Sequence, residues 1–121
     1  MIFSPKSIEA ILEGRKTVTR REAVPGKPCR YQSGRTYAVQ PGRGKKAVAR
    51  IRIRSVQPEA WFGYYALGDM DREARREGFE TWSELCAAWC KLNPKAHRNG
   101  KPTGPNVWIW FELVKEAPRG S

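Results

Sequence analysis

Residues 107–114 read Val-Trp-Ile-Trp-Phe-Glu-Leu-Val. In an extended chain successive side chains point to opposite sides, so Val107, Ile109, Phe111 and Leu113 share one face. β-branched and aromatic residues favour that conformation. This is the strongest strand signal in the chain, and it is expected at the centre of the core. The rest of the fold is read by asking what packs around it.

Residues 47–56, Ala-Val-Ala-Arg-Ile-Arg-Ile-Arg-Ser-Val, alternate strictly. Ala49, Ile51 and Ile53 take one face, and Arg50, Arg52 and Arg54 the other. This predicts a half-buried strand whose outer face is cationic and solvated. Thr36-Tyr-Ala-Val-Gln40 predicts a short strand, and Pro41 to Lys46 a basic turn between the two. Pro25, Gly26, Pro28 and Gly34 mark residues 22–35 as a loop. Thr17, Val18 and Thr19 favour extended structure.

Helices are read at three places. Ser4-Pro5 is an N-cap followed by a proline in the first turn, Ile8, Ile11 and Leu12 recur at helical spacing, and Gly14 is a stop. Residues 69–77 are polar and helix-prone, with Gly78 as a stop. Thr81-Trp-Ser-Glu84 is a capping box ahead of an apolar stripe formed by Trp82, Leu85, Cys86, Trp89 and Leu92. Residues 94–106 are expected to form a mobile loop, and the tail from Lys115 to be flexible. No internal repeat or linker is evident, so residues 1–114 read as one domain. Strands that outnumber short peripheral helices predict an α+β domain built on a small, mostly antiparallel β-barrel.

The chain of 121 residues is 40% apolar, with five tryptophans and a net charge of +11. It is long enough to bury a core without staples. Residues 1–60 hold 14 Lys/Arg against 4 Asp/Glu, and residues 61–121 hold 9 against 8. The excess is thus +10 in the first half and +1 in the second. Such a field favours a polyanion, most often nucleic acid.

Three cysteines make an odd count and no disulfide framework. Cys29, Cys86, Cys90 and the single histidine, His97, contain the ligand types of a zinc site, but their spacing follows no familiar pattern. Small buried thiols are expected, with no metal and no cofactor. With one histidine, a Ser-His-Asp arrangement would need His97 itself. No signal-peptide run or membrane-length apolar stretch is present in the sequence. A cytoplasmic protein without membrane contact, monomeric, is expected.

Residues 12–21, Leu-Glu-Gly-Arg-Lys-Thr-Val-Thr-Arg-Arg, hold the densest chemistry. The stretch resembles the Gly-x-Lys-x-x-Thr-x-Arg signature of ASCH domains, through Gly14, Lys16, Thr19 and Arg21. Residues 34–39, Gly-Arg-Thr-Tyr-Ala-Val, look like that family's second strand. Glu77-Gly78-Phe79 ahead of a capped helix resembles its Glu-Gly-Phe element, and residues 107–114 look like its closing strand. The resemblance covers nearly the whole chain and extends to ASCH proteins of bacteriophage genomes. It implies a PUA-like fold, a small β-barrel with helices at its rim, and binding of RNA or a nucleotide in a cleft beside the motif. Some small bacterial members are amidohydrolases that remove the acetyl group of N4-acetylcytidine, and others have been described as ribonucleases. Carried over, the proposed catalytic group is Lys16, Thr19 and Glu77. The chain departs from the minimal hydrolases in its longer loops at 23–34 and 93–106. Glu73 and Glu80 lie close enough to Glu77 in sequence to take its place.

The residues can be read without the family. Amide hydrolysis needs a nucleophile, a base and an oxyanion donor. Thr19 supplies a hydroxyl. Lys16 is a base only if burial or neighbouring cations lower its pKa, and a glutamate beside it works the other way. Residues three apart on a regular strand face opposite sides, so a shared site requires Lys16 to sit on a turn or a bulge. A binding site needs less: Arg15, Lys16, Arg20 and Arg21, with Lys45 and Lys46, as phosphate partners. An aromatic from Trp61, Phe62, Tyr64 or Tyr65 would stack on a base. RNA or nucleotide binding is the leading expectation, since a neutral nucleoside gains little from so strong a field. Amide hydrolysis and RNA cleavage in the same cleft are the alternatives.

Overall fold

The computed structural model describes residues 1–24, 26–60, 70–95, 97–98 and 101–116. The elements run α1 (Pro5–Leu12), β1 (Val18–Glu22), β2 (Thr36–Val39), β3 (Ala49–Ala60), α2 (Met70–Arg76), α3 (Trp82–Leu92), β4 (His97–Arg98), β5 (Lys101–Pro102) and β6 (Pro105–Glu116). β1, β6, β3 and β2 form one antiparallel sheet in that order, curled into a half-barrel, and β4 and β5 form a separate ribbon. This is a small α+β architecture built on an antiparallel sheet. The two longest strands, β3 and β6, of 12 residues each, pair at its centre, leaving β1 on one edge and β2 on the other.

The main core lies on the inner sheet face. Ile51 and Ile53 of β3 and Ile109 and Phe111 of β6 meet Ile8 and Ile11 of α1, with Phe3 and Val39 beside them. Ser4 caps α1 by accepting the amide of Ser7 at 3.2 Å, and Pro5 needs no partner in the first turn. A second, smaller cluster joins Ala74 of α2 to Leu85 and Trp89 of α3. Thr81 caps α3, accepting the Glu84 amide at 3.2 Å.

The alternation in β3 holds as far as Ile53: Ala49, Ile51 and Ile53 are buried, and Arg50, Arg52 and Arg54 are exposed. A register shift between Ile53 and Ser55 then resets it, bringing Val56 against the core. β3 continues to Ala60, four residues past the predicted end. The predicted loop at 94–106 contains the β4–β5 ribbon and the start of β6. β6 also runs to Glu116, two residues into the expected tail. Leu92, placed by spacing on the apolar stripe of α3, is 80% exposed, because the stripe outlasts the surface it covers. The aromatic run Trp61–Tyr65 and residues 117–121 lie outside the described residues.

Candidate active site

Gly14 closes α1 with a positive φ of 79°, and the amides of Arg15 and Lys16 both donate to Ala10 O at 2.9 and 3.1 Å. The chain therefore turns before it extends. Lys16 makes an isolated antiparallel bridge with Glu77, and β1 begins only at Val18. No regular strand runs through residues 15–20. The turn lets Lys16 and Thr19 reach one cavity, which Glu77 also lines.

That cavity has a volume of about 500 Å³. Its walls come from the N-terminal segment, β1, the Glu77–Phe79 turn and α3. Phe3, Phe79, Leu85 and Trp89 give it apolar sides. Lys16 is only 4% exposed. Its Nζ donates to Val18 O at 2.9 Å and to Glu77 O at 3.0 Å, and lies 3.8 Å from Glu77 Oε1. Burial lowers its pKa from 10.5 to about 8; Glu77 opposes the shift, while Arg21 and Arg20 assist it. An uncharged amine that donates both N–H groups to two carbonyls keeps one tetrahedral direction, its lone pair, for a proton.

Gly78 permits this approach. Its φ is +87°, and a Cβ there would sit 3.0 Å from Ala10 Cβ and 3.4 Å from Lys16 Cβ. The Glu77 backbone can thus come close to Lys16 only with glycine following.

Arg20, expected as a phosphate partner, also lines the cavity. Its guanidinium is fully enclosed and surrounded by carboxylates. Nε donates to Glu59 Oε1 at 2.8 Å, one terminal nitrogen to Glu73 Oε1 at 2.8 Å, and the other to Glu77 Oε2. Glu59 also accepts from Asn106 Nδ2 at 2.6 Å, and Glu73 from the Trp108 indole at 2.9 Å. Burial raises the Glu73 pKa, but the hydrogen bonds from Trp108 and Arg20 outweigh it and hold the carboxyl below its ordinary value. Arg20 therefore fixes Glu77 from behind and joins β1, β3 and α2. Glu59, Asn106 and Trp108 were not foreseen as parts of the site. No local pattern reveals them, since they meet Arg20 through sheet pairing and the docking of α2.

Arg21 lies over the Phe3 ring at 4.9 Å and donates to Ile2 O at 3.0 Å, while its Nε is buried without a hydrogen bond. It also lines the cavity. Arg15 is exposed and paired with Glu13 at 2.6 Å, and Lys45 and Lys46 are exposed in the β2–β3 turn. None of these three lines the cavity. Glu80 is exposed, so of Glu73, Glu77 and Glu80 only Glu77 borders it. Among the described residues no group of three His, Cys, Asp or Glu is placed to hold a metal ion. Cys29 is exposed, Cys86 buried and Cys90 half-buried. No described helix is long and apolar enough to cross a membrane.

No family profile and no curated protein matches the chain in sequence. Solved structures do match in shape. Protein EF3133 from Enterococcus faecalis, a DUF984 protein, superposes with a TM-score of 0.63 at 20% identity, over 99% of this chain and 82% of its own. An ASCH domain from Lactobacillus crispatus gives a TM-score of 0.68 at 20% identity, over 91% of this chain and 71% of its own. An ASCH protein from Zymomonas mobilis, solved as a point mutant, gives 0.53 at 16% identity, over 97% and 70%. In its fold the chain is similar to ASCH domains.

Proposed function

We propose that the cavity takes the base of a nucleoside or nucleotide and hydrolyses an amide carried on it, with N4-acetylcytidine as the type substrate. The observation that carries this reading is Lys16: a buried amine with a pKa of about 8, fixed by two carbonyls, in a cavity it shares with Thr19 and Glu77. A volume of about 500 Å³ with apolar sides from Phe3, Phe79, Leu85 and Trp89 facing the polar groups of β1 and Glu77 suits a small molecule. A basic groove along residues 15–21 is less well supported, because the charge of Arg20 is met by carboxylates and Arg15 lies outside the cavity.

In this reading the uncharged Lys16 accepts the proton of the Thr19 hydroxyl as its oxygen attacks the acyl carbon. The amide C–N bond then breaks, and Lys16 returns the proton to the leaving amine. Water, deprotonated in the same way, releases the acyl group from Thr19 as a carboxylic acid. Glu77 holds Lys16 through its backbone carbonyl and steadies the transient ammonium through Oε1. Arg20 keeps the other carboxylate oxygen occupied, so Glu77 cannot turn away.

The test is incubation of the purified protein with N4-acetylcytidine and its 5′-monophosphate beside Lys16→Met and Thr19→Val, with cytidine and acetate resolved by chromatography. Turnover that both substitutions abolish is expected. No release of acetate from either substrate by the unaltered protein would reject the reading.

A further inference from the structure

A row of arginines on β3 lies apart from the cavity: Arg50, Arg52 and Arg54 are not among its lining residues. Between residues 23 and 58 the chain has nine Lys/Arg and no Asp/Glu. That segment contains β2, at the sheet edge opposite β1, and most of β3 beside it. Pro41 of this segment borders the Lys16 cavity, but none of its nine cations lines it.

Within that segment, Arg50, Arg52 and Arg54 project from the outer face of β3, one every second residue. Successive members stand roughly 6.6 Å apart along the strand. Beside them on β6, Trp110 is 40% exposed, and Arg54 lies 5.9 Å from its ring centroid. A large aromatic facing solvent beside a row of guanidinium groups suits a partner with both phosphates and stacking faces. One carboxylate intrudes: Glu112, paired with Arg54 at 3.4 Å and Arg52 at 3.9 Å.

We infer that this outer face binds single-stranded RNA, with the β3 arginines on successive phosphates and Trp110 stacked on a base. A stacking contact with Trp110 needs an unpaired, accessible base, which a single strand offers and a duplex does not. Glu112 acts as a brake, holding two of the three arginines and repelling the backbone. The surface is independent of the amide chemistry proposed for the cavity, and either can fail alone.

The experiment is fluorescence anisotropy of the full chain with a labelled 20-nucleotide single-stranded RNA and with the matching duplex, across a salt series. The unaltered protein is expected to bind the single strand more tightly than the duplex. The triple substitution Arg50→Gln, Arg52→Gln, Arg54→Gln should lower the slope of log affinity on log salt by about two. Trp110→Ala should weaken single-strand binding about tenfold and duplex binding little. Glu112→Gln should tighten binding severalfold, a gain that misfolding cannot produce. Lys16→Met should bind as the unaltered protein does. The inference is overturned if the unaltered protein does not bind at low salt, if the triple variant binds equally well, or if Glu112→Gln has no effect. It is also overturned if Trp110→Ala weakens both forms alike, which would mark a general polyanion surface. Loss of binding in Lys16→Met would return the site to the cavity and overturn it as well.

Discussion

Lys16 and Arg20 are two buried cations four residues apart with opposite electrostatic fates. Arg20 is surrounded by three carboxylates, whereas Lys16 is held mainly by carbonyl dipoles. Only the lysine can shed its proton near neutral pH. The linkage can be signed. The folded-state pKa of about 8 lies below the ordinary 10.5, so between these values the unfolded chain binds more protons and stability rises with pH. Compared with Lys16→Met, the unaltered protein should gain on the order of 3 kcal/mol between pH 8 and 10.5, read from denaturant midpoints. A constant difference would show that Lys16 is not desolvated in the folded state. Replacing Arg20 by Met should cost about 3–5 kcal/mol, because Glu59, Glu73 and Glu77 would lose their shared counter-charge in a buried setting. Thermal or urea unfolding would measure it, and a loss under 1 kcal/mol would argue against the network.

The elements matter through their ends and interruptions. The turn after α1 frees Lys16 from the alternation of β1, and Gly78 lets the end of α2 close on it. Gly78→Ala combines a left-handed φ with a 3.0 Å contact to Ala10, and should cost about 1–3 kcal/mol while lowering turnover at the Lys16 site. Unchanged stability would mean that the turn relaxes freely. Thr81→Ala should cost about 1 kcal/mol through the lost cap of α3, with little effect on the cavity chemistry. These elements were largely legible in the sequence. Periodicity marked β3 and β6, and caps and glycine stops marked all three helices. The β3 bulge was not legible, because Arg54-Ser55-Val56 contains no glycine or proline to announce it. Nor was the β4–β5 ribbon, since Pro- and Gly-rich residues read as irregular chain. At the site, the motif named Lys16 and Thr19, and the Glu-Gly-Phe match named Glu77. The surroundings of Arg20 stayed hidden because Glu59, Glu73 and Asn106 lie 39, 53 and 86 residues away in sequence, and only tertiary pairing brings them together. Read by composition alone, an arginine among arginines is a surface cation.

Over the whole molecule, the sheet divides the labour. Its β1 edge, with the N-terminal segment, the Glu77–Phe79 turn and α3, borders a cavity in which Lys16 and Glu77 are held by hydrogen bonds. Its β2–β3 side carries nine of the fourteen Lys/Arg that composition had assigned to the first half of the chain. The totals fixed how much charge there was but not where it stood, because net charge says nothing of strand order. The central claim is that Lys16 acts as a base in the β1 cavity, and its most direct test is the pH dependence of N4-acetylcytidine deacetylation between pH 6 and 10. The account predicts that kcat/KM rises about tenfold per pH unit and levels off near pH 8, and that Lys16→Met shows no turnover at any pH. A rate that is flat across this range, or one that survives in Lys16→Met, would contradict it.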